Sequence, residues 1–318
     1  MGKKKKHTLL KAALLAASSV AAMGYYNVKS AKKAATMNAL QRDTSSYYFN
    51  WNSGKIFYTV QGCGTPIVLI HDYLSPAGSW EWNALAEELS FTNKVYTLDL
   101  PGCGNSDKTY QTFADYLYVQ AISSFLKEIV REKAVLVASG TSIQTVLMLQ
   151  MMDTSMISSI YAINPPVPTA RDTNDLAKNL LGQLITNSEV VGSFAYNLLL
   201  SEQNLDHYFT EQNYFTDKSL QAAYVKACWQ GAHNHYLHNK YILTSYYRGY
   251  MNSNLTKAVQ ELSVPMTILA GSETPEIETA VATYEAWNSE ILIYTVDGGK
   301  KMMQLERPEE IAGIIAGN

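Results

Sequence analysis

The sequence is poor in the residue types that most often announce a chemistry. Cysteine is nearly absent, with only Cys63, Cys103 and Cys228 in 318 residues. An odd, sparse set excludes a disulfide framework, and no CxxC or Cys/His spacing suggests zinc, so no metal site is expected. Histidine is scarce as well. The six are His7, His71, His207, His233, His235 and His238, and none falls in the last eighty residues. Acidic residues are missing from the first 42 positions, which carry nine basic ones; the remainder holds sixteen basic against 28 acidic residues. A globular part this acidic argues against nucleic-acid binding, which needs a basic face. Long hydrophobic runs are lacking too. The strongest, Ala12 to Val28, is short and serine-containing beside the roughly 20 apolar residues usual for a membrane span.

What is present at the amino end is Lys3–Lys6 followed by that run of small apolar residues. The pattern reads as a secretory signal or an uncleaved signal-anchor over residues 1–28, with membrane contact through this segment. Residues 29–45 read as a polar linker and 46–318 as one globular domain. The expected location is exported or membrane-anchored, with the domain outside the cytoplasm.

From Tyr47 the pattern is regular. Tyr47–Trp51 and Lys55–Gln61 flank the turn triplet Asn52-Ser53-Gly54 and predict a hairpin. Apolar runs at 66–71, 94–100, 134–138 and 157–164 alternate with helical patterns, which implies an α/β architecture with a parallel sheet covered on both faces. Alternation stops at Pro165-Pro166, and residues 167–255 read as helical, polar and rich in tyrosine. It resumes at 264–270 and continues through a helix over 276–288, a strand at 290–296 and a final helix from Pro308. The interruption predicts a helical cap over the carboxyl ends of the strands, where open α/β sheets bind ligands.

Lys133–Thr145, KAVLVASGTSIQT, is a buried strand turning through small residues into a buried helix. That is the setting of the GxSxG nucleophile elbow of α/β-hydrolases, whose five positions here read Ala138, Ser139, Gly140, Thr141 and Ser142. Three further stretches occur in the same family order: Leu69-Ile70-His71 before a turn, DLPGCGNS from Asp99 to Ser106, and Gln304-Leu305-Glu306-Arg307-Pro308-Glu309-Glu310. Together they identify residues 47–318 as resembling the α/β-hydrolase fold, an eight-stranded, mostly parallel sheet with helices on both faces and a cap. A nucleotide-binding doubly wound fold finds no support, because no glycine-rich phosphate loop follows the first parallel strand.

The resemblance implies a nucleophile, an acid and a histidine in that chain order. The three positions read Gly140, Thr274 and Lys301. In the oxyanion loop (His71, Asp72, Tyr73, with Thr141 after the elbow) Asp72 replaces glycine, and a carboxylate there opposes oxyanion stabilisation if it points inward. Two readings follow. In one the protein is a pseudo-hydrolase, exported or anchored, whose cap encloses a small apolar ligand among Trp229, Tyr246, Tyr247 and Tyr250. In the other it is a carboxylic-ester hydrolase with a displaced nucleophile, Ser142 or Ser139, with Lys301 as base and Glu273 or Glu276 assisting. No cofactor is implied by either. Lys301, facing Gly140 across the site, is expected to ion-pair with Asp72, Glu273 or Glu276, since a buried unpaired ammonium is costly.

Overall fold

The computed structural model describes residues 2–40, 45–73, 76–170, 175–234 and 238–317. Its centre is an eight-stranded sheet: β1 (Ser46–Trp51), β2 (Gly54–Gln61), β3 (Thr65–Ile70), β4 (Asn93–Leu98), β5 (Ala134–Ser139), β6 (Ile157–Ile163), β7 (Met266–Gly271) and β8 (Leu292–Val296). The spatial order is β1-β2-β4-β3-β5-β6-β7-β8. The first hairpin pairs antiparallel and β2 meets β4 antiparallel; every other pairing is parallel. This is the architecture that the resemblance implied.

Period-two alternation divides the core between the two faces of the sheet. Val68 and Ile70 of β3 face one layer with Leu136, Ala138, Phe125 and Val146. Ile67 and Leu69 face the other with Val137, Trp82, Leu85 and Ile311. Both faces are covered, so β3 reads as a continuous apolar run. The covering helices are α2 (Asn83–Ser90), α3 (Asp115–Phe125), α4 (Ile143–Met152), α10 (Thr256–Gln260), α11 (Ile277–Trp287), α12 (Met303–Glu306) and α13 (Pro308–Ala316), and α1 (Gly2–Thr36) precedes the sheet in the chain. Pro308 opens α13 with Glu309 and Glu310 in its first turn, a start favoured by the ring's fixed φ and by the helix dipole.

The cap lies between β6 and β7, as expected, and consists of α5 (Leu176–Asn187), α6 (Val190–Leu199), α7 (Glu202–Glu211), α8 (Lys218–His233) and α9 (Tyr241–Tyr247). Side chains at helix starts accept backbone N–H bonds: Asp175 for α5, Ser201 for α7 and Asp217 for α8. Glu306 ties the cap down, its Oε1 accepting from the N–H groups of Thr216 and Asp217 at 2.7 and 2.8 Å.

The amino-terminal segment differs from the expected linker. Residues 29–36 continue α1 without a break, and the inner half of that helix packs on α6 and α8. Asn27 is fully buried, donating to Val190 O and accepting from Asn197 Nδ2, both at 2.9 Å. Ala34 and Leu40 are buried, and Gln230 bridges the Leu40 N–H and the Met37 carbonyl. Positions read as linker because of their lysines are thus part of a docked helix whose small residues permit close approach. Residues 41–44 lie outside the described residues. The outer half, Lys11–Ala22, is exposed throughout. No helix among the described residues is long and apolar enough to cross a membrane.

Candidate functional site

The sheet brings Gly140, Thr274 and Lys301 to one cavity of about 150 Å3 at its carboxyl end, together with Asp72, Ser139 and Thr141. Sequence reasoning did not place Asn164, Tyr208 and Tyr214 in a site, yet they line the same cavity, as does Glu276. The one legible signal was topological. Asn164 follows β6 at the cap insertion, Tyr208 lies on α7, and Tyr214 lies in the loop between α7 and α8.

Gly140 keeps the backbone of a nucleophile elbow. Its φ is +53°, a conformation glycine adopts without a Cβ penalty. The space above it is filled. A Cβ built there would overlap Asp72 Oδ2 and stand 2.8 Å from its Cγ. Thr141 Oγ1 donates to Asp72 Oδ1 and holds the carboxylate in place. Asp72 therefore points inward, onto the point where a nucleophile side chain would sit.

Ser142 is fully buried, donating to Ile70 O at 3.1 Å and Ser139 O at 2.8 Å. It staples the strand-to-helix turn and is not on the cavity wall. Ser139 lines the cavity and donates to Glu81 Oε1. Glu81 is fully buried, and its Oε2 has no hydrogen-bond partner among the described residues. Burial pushes the Glu81 carboxyl well above the usual carboxylate range, while the Ser139 bond pulls the other way.

No histidine among the described residues serves this site. His71 is fully buried; its Nε2 accepts the Leu100 N–H at 2.9 Å, so Nδ1 carries the proton that binds Asp72 O at 2.7 Å. His233 stacks on Trp229 at 4.4 Å in the cap, and burial lowers it to about 4. His207 pairs with Glu211 at the surface, and His235 lies outside the described residues.

The ion pair expected of Lys301 is not closed at contact distance. No carboxylate among the described residues comes within 4.0 Å of its nitrogen, which stands 5.1 Å from the Tyr214 ring centroid. Its neighbour Lys300 takes the pairing role, 3.9 Å from Glu273. Glu273 accordingly serves the loop and not the cavity. Desolvation lowers Lys301, while Asp72 and Glu276 act on it through space in the opposite direction. The Lys301 loop is clamped from two sides. Asn164 Nδ2 donates to the carbonyls of Lys300 and Lys301 while its Oδ1 accepts from Gly271, and Met302 N–H bonds Tyr214 O at 3.1 Å.

The remaining expected residues are elsewhere. Tyr73 is buried, donating to Asp115 Oδ1 at 2.8 Å and stacking on Tyr118. The apolar ligand pocket of Trp229, Tyr246, Tyr247 and Tyr250 does not assemble. Trp229 lies under Lys33 of α1, whose nitrogen stands 4.3 Å from its ring. Tyr246 borders a separate, smaller cavity of about 50 Å3, Tyr247 packs at Gly182 of α5, and Tyr250 lies beside Arg248. Helical spacing could not say which face of each cap helix turns inward.

Comparison with known proteins agrees with this architecture. A model of a family described as the alpha/beta hydrolase family matches residues 67–314. Among solved structures, E-2-(acetamidomethylene)succinate hydrolase superposes with a TM-score of 0.66 at 16% identity, covering 86% of this chain and 98% of that one. A bromoperoxidase from Bacillus anthracis gives 0.66 at 16% identity with the same coverage. A carboxylesterase from Bacillus subtilis gives 0.64 at 12% identity, covering 93% of this chain and 97% of that one.

Proposed function

The chain belongs to the alpha/beta hydrolase family, and from its site we infer that it is a non-hydrolytic member that holds a small polar ligand under its cap. One observation carries the reading: the Asp72 carboxylate occupies the space a nucleophile on residue 140 would need. A carboxylate at that point also opposes the negative charge that develops in acyl transfer. No histidine among the described residues reaches the site as a general base either. His71 commits both ring nitrogens to the backbone, and the histidine position holds an ammonium. The wall sets Asp72, Glu276 and Lys301 among Pro165, Pro166, Val167 and Met302, so the ligand carries a polar group beside any apolar part.

A second reading, ester hydrolysis from Ser139, draws on the Ser139–Glu81 hydrogen bond at the cavity wall, a serine beside a buried carboxyl group. The two separate in one experiment. Incubation with a fluorophosphonate probe and short p-nitrophenyl esters is expected to give neither labelling nor turnover. Covalent label on Ser139 overturns the ligand-holding reading in favour of the second.

Export or anchoring through residues 1–28 is part of the same proposal. It rests on Lys3–Lys6, the apolar run behind them, and the exposed outer half of α1. Fractionation of cells with amino-terminal sequencing of the recovered protein tests it; full-length protein in the soluble cytoplasmic fraction would refute it.

A further inference from the structure

We propose that the smaller cavity, between the 102–108 loop and the cap, binds a short aliphatic monocarboxylate, its carboxylate on Lys108 and its alkyl part against Leu200, Ile242 and Leu243. This is a second place in the molecule, and the proposal does not depend on what occupies the cavity at Gly140.

The basis is a buried ammonium with unused donors. Lys108 is 6% exposed, and its Nζ donates to Gly104 O at 2.6 Å. That is its one hydrogen bond among the described residues, although an ammonium carries three N–H donors. Gly104 O also accepts from Asn234 Nδ2 at 3.1 Å, so both lone pairs of that carbonyl are taken. No carboxylate among the described residues lies within 4.0 Å of Lys108. Asp99 and Asp107 act on it through space, but both are engaged elsewhere, Asp99 by Ser79 and Asn105 and Asp107 by the Lys55 N–H. Burial outweighs them and lowers the Lys108 ammonium to about 8. The Cys103 thiol lines the same cavity, and burial pushes it up, so no thiolate supplies the missing charge.

Asn239 is an independent sign of a ligand. It lines this cavity at 8% exposure, and its Oδ1 has no hydrogen-bond partner among the described residues. Leaving a buried amide open is costly. Half a turn of the amide presents Nδ2 in place of Oδ1, and a carboxylate on Lys108 has a second oxygen to accept from it.

The rest of the wall selects the class. Among the described residues Lys108 is the one charged side chain on it, and no carboxylate lines it. An anion therefore meets its counter-charge and no repelling neighbour, whereas an amine meets an ammonium in low dielectric. The Tyr73 and Tyr196 hydroxyls are committed to Asp115 and to the Ala232 carbonyl. Leu200, Ile242 and Leu243 form an apolar flank, against which a second charge would be desolvated without a partner. At a share of about 30 Å3 per liquid water, a cavity of about 50 Å3 limits the ligand to acetate or propionate size.

Calorimetric titration of the full chain with acetate and propionate, beside the uncharged isostere propionamide and the cation n-propylamine, tests the proposal. At least one of the two acids is expected to bind saturably and tenfold or more tightly than either control. Lys108→Met should remove that advantage, and Asn239→Leu should weaken the acid threefold or more. Lys301→Met, in the other cavity, should leave its affinity within twofold. Leu243→Phe narrows the cavity with Lys108 in place and should weaken the acid too, which keeps the test decisive if Lys108→Met fails to fold. Thermal melts show which variants are folded. No binding of either acid to the intact chain, equal binding of acid and propionamide, or an unchanged affinity in folded Lys108→Met or Leu243→Phe each overturns the proposal. So does a tenfold loss in Lys301→Met, which would place the acid beside Gly140 instead.

Discussion

Two loops at the same end of the sheet contrast sharply: the turn at 99–106 and the corner formed by residues 140, 274 and 301. In the turn, the carboxylate of Asp99, fully buried, is saturated. Its Oδ1 accepts from Ser79 N–H and Oγ at 2.6 and 2.5 Å, and its Oδ2 from Asn105 N–H at 2.8 Å. Ser106 Oγ donates to Asp99 O and accepts the Phe57 N–H. In the corner, by contrast, the Thr274 hydroxyl is buried without a hydrogen-bond partner among the described residues, and Lys301 has no close carboxylate. The turn resembles the family because its side chains hold the loop together, so altering them costs stability. A nucleophile, an acid and a base contribute rate and little stability, and their positions can be refilled without unfolding the protein.

The largest effect should come from attacking the turn. Asp99→Ala strands two buried donors of Ser79 and the part-buried Asn105 N–H, and is expected to cost about 4 kcal/mol, read from urea denaturation. A loss below about 1 kcal/mol would erase the contrast, because the turn would then be no more structural than the corner.

Gly140→Ser sharpens the other side. The new side chain combines a positive φ with overlap onto Asp72, so a loss of about 1–3 kcal/mol is expected with no esterase activity. Asp72→Ala added to it should recover part of that loss, and a double-mutant cycle reads the coupling. Strict additivity would show that the two side chains do not compete for one space.

The smallest effect is a slope with pH. Burial raises the Glu81 carboxyl, so the folded chain holds this proton more tightly than the unfolded one. Its contribution is complete below the ordinary value of 4.5 and declines as pH rises through the raised folded value. Glu81→Gln, which keeps the Ser139 contact without a charge, should flatten stability between about pH 5 and 8. His233 acts in the opposite sense: lowered from 6.5 to about 4, it removes stability as pH falls across that interval. An unchanged slope in Glu81→Gln above pH 6.5, where His233 is silent, would show that Glu81 titrates normally.

Much of the fold was legible. Period-two apolar runs, the break at Pro165-Pro166 and the 99–106 and 304–310 stretches placed all eight strands, their sense and the cap. Burial on both faces leaves only apolar residues in the strands, and that pattern survives in a linear reading. The site was legible as three positions in a row of loops, and all three meet at one cavity. Less legible was the amino-terminal segment. Lysine-rich spacing at 29–36 reads as solvated, but a helix can face water on one side while Asn27 and Ala34 bury the other. The cap aromatics misled for a related reason: helical register decides which face turns inward, and that is set by packing against α1 and the sheet.

By itself, then, the sequence determined the topology and the absence of serine, acid and histidine from their usual places, because both are properties of residue identity in order. Only the tertiary structure decided what fills the vacancy. Asp72 and Gly140 are 68 positions apart, and only the parallel pairing of β3 with β5 sets the loops after them side by side. That proximity puts the carboxylate over the glycine, and the clamp around Lys301 keeps an ammonium across the cavity without contact. Charge spacing of this kind arises from backbone placement in three dimensions, and no local pattern encodes it.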